Sequence, residues 1–247
     1  MFRQVLSLTA IPEVPENITQ RKVIVYKSRV DPAMLKQKAE EMKNELFVKR
    51  FSKPKPEDIH VVSVDKHYEP YVLVDAKYRI EYFTKKLYTF EVEEKAREVR
   101  ILGETFKPQK VAIPGTTSGK FRKVVSLEGQ EWSFYEDKAY FILDKTGREI
   151  LPDQVPTAPS EENPQKILNE FTKKTGKVKV SDQEIIAIAK TKLIKRPPDM
   201  DNIENEYFQI TEHAIIYNPI YEITFRNMKN KKEKTVNIDG VSAEIIK

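Results

Sequence analysis

The sequence predicts an α+β protein made of two related helix-on-antiparallel-sheet units with a β-rich insert between them. Three observations carry that expectation. Helix-period apolar stripes occupy residues 35–46 and 185–193, and a strict two-residue alternation runs from Tyr71 to Phe83. The third is a recurring order of elements in each half: helix, proline pair, strand, Tyr-x-Pro and hairpin. The expected organisation is an N-terminal α+β unit over 1–95, a β-rich insert over 96–151, a Pro-rich linker over 152–164 and a C-terminal α+β unit over 165–247.

Phe2–Leu8 and Lys22–Tyr26 read as short strands separated by Pro12 and Pro15. Asp31-Pro32 opens a helix, with Asp31 as N-cap and Pro32 at a position where its missing N–H costs nothing. Leu35, Ala39, Met42 and Leu46 then form one buried stripe, and Pro54 and Pro56 end the element. After a strand at Ile59–Val64, Val72, Val74, Ala76, Tyr78, Ile80 and Tyr82 share one strand face, with Asp75, Lys77, Arg79 and Glu81 on the other. Thr84-Lys85-Lys86 reads as a turn, and Leu87–Glu93 as the returning arm with Tyr88, Phe90 and Val92 inward. Further strands are expected at Glu98–Leu102, Lys110–Ile113, Phe121–Leu127, Glu131–Tyr135 and Ala139–Leu143. Turns fall at Glu128-Gly129 and Asp144–Gly147.

Prolines 152, 156, 159 and 164 mark the linker. A short helix with Ile167, Leu168 and Phe171 follows Asn163-Pro164 and stops at Gly176. Ser181-Asp182-Gln183-Glu184 is a capping box, opening a helix to about Lys195 that carries Ile185, Ala189 and Leu193 on one face. Beyond Pro197-Pro198 come a strand at Tyr207–Thr211 and a hairpin, Ile220–Arg226 and Thr235–Asp239, around Asn227–Lys232. Tyr68-Glu69-Pro70-Tyr71 and Tyr217-Asn218-Pro219-Ile220 correspond, each proline opening a strand.

The C-terminal part resembles a known family. Val180–Lys190 is similar to the helix opening of PepSY domains, Tyr221-Glu222-Ile223-Thr224-Phe225 to their Tyr-x-Val-x-Phe strand, and Val236–Ile245 to their final strand and turn. The resemblance covers about 178–247 and extends weakly to 31–95, with Gly240-Val241-Ser242-Ala243 standing where the family usually has Ala-x-Thr-Gly. It implies a non-catalytic regulatory or inhibitory binding module and carries over no functional residues.

Composition removes several classes. The 247 residues hold 43 Lys+Arg against 38 Asp+Glu, a net charge of +5, too mild for a nucleic-acid packager. Zero cysteines exclude disulfides, thiolate zinc sites and thiol nucleophiles. Seven glycines disfavour phosphate-loop and Rossmann readings. No apolar run reaches membrane-span length, and Pro12 with nearby charge interrupts any signal-peptide core, so a cytoplasmic location is expected. The Lys-, Glu- and Ile-rich balance is common in archaea and heat-adapted proteins; an AT-rich genome explains it equally.

Gly115-Thr116-Thr117-Ser118-Gly119-Lys120 fails as a P-loop: three residues separate the glycines instead of four, and Phe121 follows the lysine. His60, His67 and His213 are too scattered for a ligand set. No catalytic residue, cofactor or metal ligand is therefore expected. Charge, however, is uneven. Residues 20–56 hold eleven Lys/Arg against four Asp/Glu, whereas 199–212 hold five Asp/Glu and no cation. Two segments gather candidate polyanion contacts: Lys110, Lys120, Arg122 and Lys123, and the second hairpin's Arg226, Lys229, Lys231, Lys232 and Lys234. The tyrosines and phenylalanines, by the alternation, point mostly into the sheet. The leading reading is a non-enzymatic binding or regulatory protein whose partner is another protein. The alternatives are nucleic-acid binding through the basic hairpin tip and the 107–123 loop, or an enzyme with a site between units that no motif reveals.

Overall fold

The structure, a computed structural model, describes residues 14–47, 55–113, 121–171 and 174–246. It corrects the expected fold class. In place of two helix-on-sheet units with an insert, the described residues form one sheet of nine strands, with 53% strand, 17% helix and three helices among them.

The strands are β1 (Glu16–Ile18), β2 (Lys22–Val25), β3 (Ile59–Val92), β4 (Val99–Ile101), β5 (Glu104–Phe106), β6 (Gln109–Ala112), β7 (Phe121–Leu143), β8 (Glu149–Ile150), β9 (Asn202–Asn227), β10 (Glu233–Asp239) and β11 (Ile245–Ile246). The helices are α1 (Pro32–Leu46), α2 (Pro164–Glu170) and α3 (Asp182–Leu193). The sheet order is β11-β10-β9-β3-β7-β6, with β1 and β2 also on β9 and β8 on β7; β4 and β5 pair by themselves. Three partners succeed one another along β9: β1 in parallel at Phe208–Ile210, β2 in parallel at Ala214–Tyr217, and β10 antiparallel at Ile220–Arg226.

The correction has a local cause. Three expected strands fuse into the 34 residues of β3, because Thr84-Lys85-Lys86 does not turn. That tripeptide offers no glycine or asparagine for a positive φ. Thr84 is buried, and Lys85 pairs with Asp201 at 2.7 Å. Likewise Glu128-Gly129 lies inside β7. Gly129 is there for space: a Cβ at this position would stand 2.9 Å from the Tyr88 ring. Neither Tyr-x-Pro opens a strand, since Pro70 lies within β3 and Pro219 within β9. The missing donors fall where no ladder continues. The Tyr68 carbonyl accepts from the Gly176 N–H, so Pro70, two residues on, faces the same side. The Pro219 carbonyl accepts from Gly240, beyond the last β9–β10 pair. Gly176, expected as a helix stop, permits this approach, since a Cβ would meet Pro70 Cδ at 2.8 Å.

The chain divides into two compact units. The first comprises 1–15, 78–137 and 195–207; the second comprises 16–77, 138–194 and 208–247. The strands β3, β7 and β9 contribute residues to both.

The second unit holds all three helices. On α1, Asp31 Oδ1 accepts the Met34 N–H at 2.8 Å, and Leu35, Ala39 and Met42 bury against Ile59, Ile223, Phe225, Val236 and Ile238. Ser181 and Glu184 close the capping box of α3, whose Ile185, Ala189 and Leu193 are buried. This helix reaches β9 at His213, β7 at Phe141 and β8 at Glu149. Since β3 lies between β9 and β7, α3 spans that strand, whose Val72, Val74 and Ala76 are fully buried. The expected hairpin is present as β9–β10, and its tip is held by Asn227, whose side-chain oxygen accepts from the Lys229 and Asn230 N–H groups.

In the first unit, β4 and β5 form a hairpin through Leu102 and Gly103, both at positive φ (51° and 88°), the pattern of a type I′ turn. No α-helix lies among its described residues. At its centre Tyr78 donates to Glu206 at 2.7 Å, and Arg196 binds both oxygens of that carboxylate at 2.7 and 2.6 Å. Burial, reinforced by the bond to Glu206, holds the Tyr78 phenol well above its ordinary value.

Candidate functional site

Charged side chains first direct attention to the residues singled out for polyanion contact. Most are engaged inside the protein. Arg226 pairs with Glu233, and Lys229 reaches Asp58 at 2.7 Å, an ion pair that holds the Asp58 carboxyl below its usual range. Lys234 donates to the Leu46 carbonyl at the end of α1 and stands over the Phe47 ring. Arg122 lies 3.7 Å from Glu91, and Lys123 donates to the Ala96 carbonyl at 2.9 Å. Lys110 sits directly opposite Lys123 in the β6–β7 ladder. Lys231, at a φ of 57°, and Lys232 form the hairpin tip. Lys120 and the remainder of the Gly115–Lys120 motif lie outside the described residues.

The histidines are equally dispersed. His60 is exposed on β3, His67 stands 3.7 Å from Glu69, and His213 is buried on β9, 3.9 Å from Asp182. Among the described residues no three His, Asp or Glu side chains gather as a metal site, and no helix is long and apolar enough to cross a membrane.

The surface that stands out is aromatic and lies in the first unit. Along β7 the even positions from 126 to 140 are exposed, Trp132 at 52% and Phe134 at 57% among them. Their ring centroids are 6.5 Å apart. The Arg79 guanidinium of β3 lies 5.0 Å from the Phe134 centroid, and is held by Glu81 at 2.6 Å and Glu136 at 3.7 Å. Farther along β3, Leu87, Tyr88 and Phe90 are exposed too. The inward placement expected for Tyr88 and Phe90 is thus corrected. Tyr88 donates to Glu131 at 2.8 Å and stays at the surface. Next to it a cavity of about 500 Å³ is lined by Lys85, Lys86, Leu87, Glu128, Gly129 and Gln130.

Charge on this surface is internally balanced. Lys85 is paired with Asp201, Lys86 stands 3.8 Å from Asp199, and Arg79 is flanked by two carboxylates. An aromatic pair flanked by a pre-oriented arginine and neutralised charge suits a partner that offers apolar and hydrogen-bonding groups. Sequence reading missed this patch because alternation alone cannot say which face of a strand is covered. The run Trp132-Ser133-Phe134 between charged residues was the available signal. Comparison with family models, curated proteins and solved structures returned no match for this chain.

Proposed function

We propose that the protein is a non-enzymatic binding module that works by protein–protein contact, with the Trp132–Phe134–Arg79 surface as its contact patch. The supporting observation is the exposure of two adjacent large aromatics beside a guanidinium already fixed by Glu81 and Glu136. Tryptophan and arginine supply a disproportionate share of interface energy. The charge balance favours a protein over a nucleic acid, because a phosphate backbone draws its affinity from cations free to replace counterions. The PepSY-like pattern over 178–247 implies the same class of activity.

Trp132 is the single tryptophan, so its emission reports on the patch directly. The test is to isolate partners on the wild-type protein, purify them, and titrate each against Trp132 fluorescence. A partner shifts the emission, and Phe134→Ala weakens its binding by about tenfold or more, as loss of an interface anchor does. Equal affinity for wild type and Phe134→Ala overturns the reading. So does a salt-sensitive emission shift with single-stranded DNA or RNA where proteins give none.

A further inference from the structure

The second unit contains a lysine in unusual surroundings. Lys66 of β3 carries its ammonium 5.2 Å from the Tyr68 ring centroid, 5.8 Å from that of Phe171 and 5.9 Å from that of Tyr221. Tyr68 and Phe171 are themselves packed edge to face, with centroids 5.4 Å apart, and Tyr68 is almost wholly buried. Among the described residues no carboxylate lies within ion-pair distance of Lys66. The side chain lines a cavity of about 500 Å³ together with Val64, Asp65, Asn169, Glu170, Phe171 and Lys174.

The second lysine of that cavity is in the opposite condition. Lys174 is bound to Asp65, whose carboxyl it holds below the usual range. One amine is thus committed to a carboxylate, and the other is partly buried without one. Burial pushes the Lys66 ammonium below its ordinary pKa, with Glu161 opposing from farther away. Desolvation of this kind is the usual route by which a lysine becomes nucleophilic near neutrality.

We infer that the cavity around Lys66 is a carbonyl-capture site, where the amine forms a Schiff base with a small, neutral, hydroxylated aldehyde or ketone. The neutral class follows from the charges. Asp65 neutralises Lys174, which leaves no cation besides the reacting Lys66 to hold a substrate carboxylate, while Glu170 offers carboxylate oxygens to hydroxyl groups. In the step, Lys66 Nζ adds to the carbonyl carbon, the carbonyl oxygen is protonated and leaves as water, and a C=N bond remains. From the ammonium to the protonated imine the nitrogen loses two protons and both end on the departing oxygen, with Glu170 lining the cavity to carry them. No oxidant or reductant is consumed. The protonated product keeps a positive charge where the ammonium stood, so the three rings stabilise it as well. This inference is independent of the aromatic patch in the first unit.

The test uses the full chain with dihydroxyacetone as probe and cyanoborohydride to trap the imine, each lysine being read by peptide mass spectrometry. Lys66 should be labelled faster than exposed lysines by about tenfold for each unit of pKa depression, and its labelling should persist to lower pH. The preference should vanish in guanidinium chloride. Lys66→Arg, which retains a cation among the rings, should remove the fast phase and leave the slow one. Labelling of Lys66 no faster than that of Lys177 and Lys179 overturns the proposal, as does a fast phase that survives in Lys66→Arg or in the unfolded chain.

Discussion

A single strand, β3, contributes to both units, and its two parts are buried differently. Through 72–76 its even side chains are fully buried; through 85–91 every residue is exposed, Leu87 and Phe90 included. The strand pattern is not the difference, for both stretches are rich in β-formers. The difference is a covering layer: among the described residues the second unit has three helices to place on its sheet, and the first has none. A sheet face becomes core only if another element desolvates it. Uncovered, the same alternation makes a display surface, and the candidate contact patch arises there.

The two units also hold their centres together by different means, which gives the largest expected effect. In the first, Glu206 is bound by Tyr78 and by both nitrogens of Arg196 that reach it. Glu206→Ala removes the buried carboxylate that both the Arg196 guanidinium and the Tyr78 phenol bind, and should cost about 3–5 kcal/mol. In the second unit, Leu193→Ala truncates a fully buried apolar side chain on α3 and should cost about 2–5 kcal/mol. Denaturant titrations check both. The comparison breaks if Glu206→Ala costs under about 1 kcal/mol, the scale of an exposed ion pair.

The readable part of this fold was the part written in short-range chemistry. Asp31, the Ser181–Glu184 box and the Asn227 turn each satisfy backbone donors within a few residues, so sequence alone locates them. Strand fusion is different. Whether Thr84-Lys85-Lys86 turns or continues depends on Asp201 and Asp199, more than a hundred residues away. Gly129 shows the same ambiguity: a glycine serves a turn or a close ring contact, and only the position of Tyr88 decides. Lys66 was invisible for this reason too, since its three rings come from β3, the end of α2 and β9.

A third prediction uses pH to separate the units. His213, in the second, is 3% exposed, and burial lowers its pKa from 6.5, with Asp182 opposing and Arg21 assisting. The unfolded chain therefore binds a proton on this side chain more readily than the folded one. Stability from the neutral imidazole is present above the unfolded value and is lost as pH falls below about 6.5, at no more than about 1.4 kcal/mol per pH unit. His213→Phe should flatten the slope of unfolding free energy between pH 7 and 5, by about that amount or less. An unchanged slope would mean that His213 takes up its proton equally well in both states.

The smallest effect belongs to the first unit's hairpin. Leu102 is fully exposed at a φ of 51°, a backbone region in which a Cβ crowds the following carbonyl oxygen. It buries nothing in exchange. Asparagine tolerates this conformation and precedes glycine in the favoured type I′ pair, here completed by Gly103. Leu102→Asn should therefore stabilise the protein by about 0.5–1 kcal/mol and raise its melting temperature by a few degrees. The gain should appear without any change in Trp132 emission, since nothing places the turn against that ring. If Leu102→Asn is neutral for stability but weakens partner binding, the leucine is held in its strained turn for contact, and the display surface of the first unit extends to this hairpin.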